Sequence, residues 1–415
     1  MNNCIPASAY CKKIFDGTHD TPKPVLIGFP LITSKNILGG ILNLKDSYNI
    51  SEVNYTDIQK RSKVSHWDIL FSMIGSVGEI YLEKSPNIPY AIKNVGVFSC
   101  DDEYKAKWLY YYFKSPQAKQ YIQNYLNGAV QKFLPLGTLR SFPVLPYDDK
   151  YISCIDLLFA LDSKIELNNH INAELEAMAK TLYDYWFVQF DFPNEKGKPH
   201  KTSGGKMVWN EELKREIPQG WVSGNLSELG EIIGGSTPSR DVEENFDVYG
   251  TPWITPKDLS LNTGNKFIKK GEVSVSNLGL KSASLKILPK GSILMSSRAP
   301  VGYMAIASND VTTNQGFKSF VPHTSYPTSF IYYTVTNALP EIINNASGST
   351  FKEISGGTLK TIKVCLSDVE VVKLYNYKVE SIFKKQSILE SENQKLVELR
   401  DWLLPMLMNG QVKVN

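Results

Sequence analysis

The sequence predicts an α+β chain: two globular α/β domains in pseudo-repeat, separated by two long helices that pair as an antiparallel coiled coil. Three observations carry this reading. Leu161–Phe192 has a seven-residue apolar period. A second segment with the same period lies near the end of the chain. Before each of them, a set of short motifs recurs in the same order at a nearly constant offset.

In the first segment, Leu161, Asn168, Leu175 and Leu182 recur every seven residues. Ile171, Met178 and Tyr185 follow the last three at +3, completing the a and d positions of a heptad seam. Glu166, Asn169, Glu174, Glu176 and Lys180 stand between them, so the other faces are wet. Ala173 to Lys180 are all strong helix formers, and no Gly or Pro interrupts the run before Pro193. A helix from Leu161 to Phe187 would be roughly 40 Å long at about 1.5 Å per residue, too long for one small domain to bury. It needs a partner helix, and Asn168 is a polar residue of the kind that fixes register at a cost in stability. The partner carries Ile382, Leu389, Leu396 and Leu403 at seven-residue spacing, with Leu399 and Met406 at +3. Leu182-x-Asp184-Tyr185-Trp186-Phe187 overlays Leu399-x-Asp401-Trp402-Leu403-Leu404, and each cluster is closed by a proline, Pro193 or Pro405.

A chain of 415 residues has room for two or three domains with proper cores. Its net charge of +3 permits a nucleic-acid partner without demanding one. Cys4, Cys11, Cys100, Cys154 and Cys365 are scattered and form no C-x-x-C, which points to a reducing cytosol and no structural zinc. The first residues lack a basic and then apolar leader, and no apolar run approaches the ~20 residues of a membrane span. A soluble cytoplasmic protein with no membrane partner is expected.

The expected order is a first domain over 1–150, a central helix over 151–193, a linker over 194–216, a second domain over 217–367 and a C-terminal helix over 368–415. Val25–Ile27 and Asp68–Met73 read as strands, Ala106–Phe113 and Gln117–Leu126 as helices. Gly28-Phe-Pro30-Leu-Ile32-Thr33-Ser-Lys35 returns as Gly250-Thr-Pro252-Trp-Ile254-Thr255-Pro-Lys257. Asp68-Ile69-Leu70-Phe-Ser72 returns as Ser292-Ile293-Leu294-Met-Ser296. Asn94-x-Gly96 returns as Asn314-x-Gly316, Tyr110-Tyr111 as Tyr332-Tyr333, and Gly137-Thr138-Leu139 as Gly357-Thr358-Leu359. The residues between these motifs differ widely, so one scaffold carries two sets of loops and suits two different ligands. The linker holds Lys196, Lys198, Lys201 and Lys206, which fit either phosphate contact or plain solvation. Ile217 to Trp221 leads into the second domain, and its counterpart would precede Met1. The first domain is therefore expected either to begin differently or to have a late start.

At this point the chain resembles a known family, the specificity subunit of type I restriction–modification enzymes. The carriers are the run from Asn172 to Phe187 followed by Phe190-Asp191-Phe192-Pro193, then Gly204 to Val208, Glu216-Ile-Pro218 with Gly220-Trp221, and Leu403 to Val412. The resemblance covers the whole chain. It implies two target recognition domains, each reading one half of a bipartite, asymmetric site in double-stranded DNA. It also implies that the paired helices separate the domains and dock two modification subunits. Those subunits bind S-adenosylmethionine and methylate adenine at N6, and separate restriction subunits use Mg and ATP for cleavage. No cofactor is then expected on this chain.

The residues offer little chemistry of their own. No D/N-P-P-Y/F loop and no phosphate-binding G-x-x-x-x-G-K-[ST] is present, and His19, His66, His170, His200 and His323 are too dispersed for a metal site. The alternative is a self-sufficient nuclease using Glu103 and Lys105 in an E-x-K pattern, with Asp68 invoked to help hold Mg. For DNA contact, loop residues with cationic or amide heads are the natural candidates. In the second domain these are Lys257, Ser297, Arg298, Asn314, Gln315, Thr350 and Lys352. In the first they are Lys35, Ser72, Ser76, Lys93, Asn94, Gln131 and Lys132. Asn94 and Asn314 fit equally well as turn residues that shape the scaffold. Tyr183, Tyr185, Trp186, Phe187, Trp402 and Leu403 form more apolar surface than two helices can bury on each other, and are expected to dock the modification subunits.

Overall fold

Four consecutive buried side chains, Ile69 to Ser72, mark a strand covered on both faces, and the first sheet is built around it. The structure, a computed structural model, describes residues 4–127, 133–348, 352–408 and 411. The longer helices include α1 (Glu103–Lys114), α2 (Ile152–Tyr183), α3 (Thr328–Asn344) and α4 (Val369–Met408). The chain packs as two units, residues 1–165 with 395–415, and residues 166–394, so each long helix contributes to both.

In the first unit, Ile69–Ser72 lies between Val95–Ser99 and Ile80–Leu82, and Lys13–Asp16 flanks Val95–Ser99, all antiparallel. A smaller sheet places Phe29–Ile32 between Tyr48–Ile50 and Ala91–Ile92, with the last pairing parallel. Ile5–Pro6 pairs with Pro143–Val144. The Asp102 carboxylate caps α1 by accepting from the Lys105 N–H. Eight consecutive residues of α1, Ala106 to Phe113, are buried. The core of this unit also takes Ile155 and Leu158 from α2 and Leu404, Leu407 and Met408 from α4.

The second unit repeats that plan. Its sheet runs Gly230–Gly234, Lys318–Pro322, Ile293–Met295, Met304–Ala307, and adds a fifth strand, Phe267–Ile268, parallel to the fourth. Its smaller sheet places Phe246–Ile254 between Val273–Val275 and Thr312–Thr313, again with the last pairing parallel. Val222–Asn225 pairs with Lys363–Leu366, where the first unit has only the two-residue Ile5–Pro6 strand. The paired strand is kept in both units.

Several sequence expectations need correction. Val25–Ile27 is no strand: Val25 makes a single bridge to Asn49, and Leu26 and Ile27 are exposed. The Asn-x-Gly match is a coincidence of spacing. Strand pairing equates Ile92 with Thr313 and Val95 with Phe317, so the turn between them has two residues in the first unit and three in the second. Gly96 therefore sits inside a strand and Gly316 in a turn. Pro405 does not close α4; the helix runs on to Met408, because burial of Leu404, Leu407 and Met408 outweighs the missing N–H. The α2 helix starts at Ile152 and gives way at Tyr183 to a wider turn over Asp184–Val188.

In the second unit the long helices run antiparallel, with Asn168 donating to Glu392 and Asn393, and the Tyr375 hydroxyl donating to the Ala179 carbonyl. In the first, Asp162 accepts from Arg400. Leu161, Asn168 and Leu389 are buried, and Ile171, Leu175, Leu182, Ile382 and Leu396 half-buried. Met178 and Leu399, however, are 59% and 43% exposed, which takes them out of the seam. The second line of the heptad falls at +4, on Ala179, Gln386, Asn393 and Arg400. A search for apolar residues passes over that line because it is small or polar.

Candidate nucleic-acid interface

In both units the first strand of the large sheet leaves through a glycine that crosses the smaller sheet. A Cβ on Gly17 would lie 2.4 Å from the Ile92 carbonyl oxygen, and one on Gly235 2.1 Å from that of Asn314. Only glycine allows that approach. The next loops along the chain, Thr18–Thr21 and Ser236–Thr237, run beside the end of the parallel strand pair.

The same end of each smaller sheet carries a capped turn. The Thr33 N–H donates to Asn36 Oδ1 (2.9 Å), and the Thr255 N–H to Asp258 Oδ2 (2.8 Å). Both are capping boxes, which explains why the motif recurs. Each turn leaves a lysine exposed, Lys35 in one unit and Lys257 in the other. Lys257 reaches Glu272 at 2.6 Å, and that hydrogen bond raises the lysine pKa and keeps it charged.

The two patches then differ. In the second unit, Gln315 is exposed and bonded to Thr237. Arg298 is half-buried, 3.9 Å from Glu353. A Cβ on Gly316 would meet Pro256 at 3.1 Å and Arg298 Nε at 3.6 Å, so the Lys257 turn, Arg298 and the Gln315 turn converge on one patch. In the first unit, Asn94 has a left-handed backbone, φ 51°, and its Oδ1 lies 2.7 Å from His19 Nδ1. His19 Nε2 is 3.1 Å from Asp16, Arg61 is 3.3 Å from the same carboxylate, and half-buried Lys93 bonds Thr21. Asn314 uses its side chain to accept from the Gly316 N–H, as a turn residue does. Ser76 and Lys352 are exposed. Gln131, Lys132 and Thr350 lie outside the described residues.

Ser72 and Ser297 must be withdrawn as contacts. Both are fully buried: Ser72 donates to the Ile74 carbonyl, and Ser297 is held by backbone bonds to Gly316 and Ile354. Tyr183, Trp186 and Phe187 are also withdrawn as docking surface. They are buried in the core of the second unit with Trp221, Phe330 and Tyr375, and the Tyr183 hydroxyl lies 3.0 Å from that of Thr334. Tyr185 is half-buried against the same core, and Leu403 against the core of the first unit. Trp402 alone of that set is more than half exposed. Sequence reasoning misses Thr237, His19 and Lys318, the last close to Gly234 and Gly356. The signal available is a glycine followed by a hydroxyl residue in both domains, Gly17-Thr18 and Gly235-Ser236.

Glu103 and Lys105 do not form a metal site. Glu103 pairs with Lys107 (2.5 Å) and Lys105 with Asp101 (3.1 Å). Asp68 is buried, accepts from the Ser65 N–H, and is pushed up to about 6 by that burial. Among the described residues, no group of three or more His, Cys, Asp or Glu side chains could hold a metal ion. Among them also, no helix is long and apolar enough to cross a membrane.

Comparison with known proteins gives a consistent result. A family model described as type I restriction modification DNA specificity domain matches residues 27–177 and 218–397. The MjaIX specificity subunit of Methanocaldococcus jannaschii is 36% identical over 212 residues, a match spanning 48% of each chain. The HindI specificity subunit of Haemophilus influenzae is 28% identical over 324 residues, covering 65% of this chain and 68% of that one. The crystal structure of a type I restriction–modification system S subunit from M. genitalium superposes with a TM-score of 0.58 at 13% identity, over 97% of this chain and 95% of that one, which shows the fold.

Proposed function

Because the chain belongs to the type I restriction–modification DNA specificity family, we propose that it reads a bipartite, asymmetric site in double-stranded DNA, one half-site per domain. The observation that carries this is the repeated scaffold with unlike patches at the same place. His19, Lys35, Lys93 and Asn94 stand in one, and Thr237, Lys257, Arg298 and Gln315 in the other. Arg suits guanine edges, Gln suits adenine, and Lys suits phosphate. Ser76 in the first domain and Lys352 in the second are exposed further candidates.

The chain is a non-catalytic subunit, and in its family S-adenosylmethionine and ATP belong to the modification and restriction subunits. We place it in the cytoplasm, assembled with two modification subunits and with restriction subunits. The modification subunits dock on the outer faces of the long helices. There the +3 residues Met178 and Leu399, together with Leu167, Tyr377, Ile388 and Trp402, leave apolar surface exposed. The family's adenine-N6 methylation then provides the readout.

Mapping methylated adenines in DNA exposed to the complex tests the reading. Exchanging the loops around Arg298 and Lys352 changes one half-site only; a change in both, or in neither, overturns the assignment of one domain to each half. Inserting one heptad in each long helix adds roughly 10 Å at about 1.5 Å per residue, and lengthens the preferred spacer by about three base pairs.

A further inference from the structure

Each unit contains an ionic clasp between its globular part and its own stretch of the long helices. Both clasps are built around a tyrosine of the repeated Tyr-Tyr pair, Tyr111 on α1 and Tyr333 on α3. In the first unit, Asp162 of α2 accepts from the Tyr111 hydroxyl and the Lys114 ammonium, both at 3.1 Å, and from Arg400 of α4 at 2.8 Å. Burial pushes the Asp162 carboxyl up, but Lys114 and Arg400 outweigh it and hold it below the ordinary carboxylate range.

The second clasp inverts the charge at its centre. Lys266 is buried at the start of the added fifth strand, with its ammonium 4.0 Å above the Phe383 ring. It pairs with Glu176 of α2 and donates to the Tyr333 hydroxyl (2.9 Å) and to Gln386 Oε1 of α4 (3.0 Å). Tyr333 and Gln386 in turn donate to Glu176, each at 3.1 Å. Glu390 of α4 accepts the backbone N–H groups of Lys266 and Phe267, at 3.0 and 2.9 Å.

We propose that these clasps fix the angle at which each recognition domain stands on the helix pair, and so determine which spacer between half-sites is accepted. Apolar contact is non-directional and tolerates a small rotation. A charge-assisted network tying one domain element to both helices does not, because rotation would leave a buried charge unpaired. An apolar plug of the same volume would hold the domain on as firmly, so directionality is what the network adds. The inference rests on the proposed DNA reading and concerns geometry rather than base choice.

The test uses the full chain in complex with its modification subunit. The DNA is a library whose two half-sites are fixed and whose spacer varies base pair by base pair. Lys266→Met is expected to keep both half-sites while the preference for the best spacer over its neighbours falls about tenfold, the equivalent of one such interaction. Asp162→Asn acts in the same direction, and Lys266→Arg restores most of the preference. Tyr111→Phe and Tyr333→Phe each remove one hydroxyl without adding volume, and decide the matter if the charge variants fail to fold. Normal half-sites with an unaltered spacer profile in all the variants that fold overturn this inference alone. A wild-type complex that methylates no bipartite site overturns the DNA reading and this inference with it.

Discussion

The first unit holds its helices through a carboxylate set between two cations, Asp162 between Lys114 and Arg400. The second holds them through a lysine set among acceptors, and it has grown an extra strand, Phe267–Ile268, whose backbone Glu390 braces. The sheets are otherwise ordered alike, and the tyrosine survives in both. What differs is the charge set around that tyrosine at the helices, and the side chains beside the shared capped turn at the candidate interface. Two copies of one scaffold have kept the order of the large sheet while the side chains at the candidate interface and at the helix contacts have diverged.

The comparison is broken most forcefully through the cores. Phe187→Ala is expected to destabilise the second unit by about 3–5 kcal/mol, because its ring packs on Trp221, Phe330 and Tyr375. Trp108→Ala is expected to do the same to the first, where the indole stacks on Tyr151 and donates to the Leu145 carbonyl. Calorimetry should show each variant lowering mainly the transition of its own unit; equal shifts of one shared transition would mean that the units do not melt separately.

A smaller effect comes from the clasps. Asp162→Ala leaves Lys114 and Arg400 facing each other in a buried site, and about 3 kcal/mol of loss is expected in the first unit. Denaturant titration at two salt concentrations measures it, and a loss abolished by 1 M salt would place the charges in solvent instead.

Along the seam, Asn168→Leu removes a buried amide that bonds Glu392 and Asn393. Stability should change by under about 2 kcal/mol in either direction, while register loosens. Cysteines placed along the two helices would then cross-link in more than one antiparallel register, where the parent gives one. A single register in the variant would assign that role to Gln386 or to the clasps.

The smallest effect is one of pH. Glu390 is pushed up to about 7 by burial, against an ordinary value of 4.5, even though the Lys266 and Phe267 N–H groups and the Lys266 charge favour its ionised form and Glu176 opposes it. A carboxyl raised in the folded state contributes stability that is fully present below its unfolded pKa and is lost as pH rises through the folded one. The second unit should therefore melt a few degrees lower at pH 8 than at pH 6, and Glu390→Gln should flatten that slope. An unchanged slope in the variant would place the titration elsewhere.

The repeat is legible in the sequence because sheet interiors and capped turns constrain residue type. The Thr33 and Thr255 capping boxes and the buried runs at Ile69 and Ile293 stand out without any structure. Register is not legible. A one-residue difference in a turn makes Asn94-x-Gly96 look equivalent to Asn314-x-Gly316, and only strand pairing separates them. The +4 line of the seam is hidden by its own polarity, since Asn393 and Gln386 read as surface residues until a partner helix covers them. Ser72 looks like a loop contact because a strand buried on both faces has no alternation to reveal which residues are inside, and Ser297, beyond the end of its strand, looks like one until the Gly316 and Ile354 backbones are seen to cover it. The aromatic cluster at Tyr183 misleads for the opposite reason: apolarity announces burial but does not say against what.

The polar line along the helix pair bears on how the protein is made. α2 ends at Tyr183 and α4 begins at Val369, so the 185 residues 184–368 separate the finished helix from the start of its partner. At ~5–20 residues per second, that is a wait of about 10–40 s on the ribosome. A seam of leucines exposed for that time would pair with any other amphipathic helix it met. Asn168 and Glu176 tolerate water while they wait, and find their amide and carboxylate partners only when Gln386, Glu392 and Asn393 arrive on the same chain.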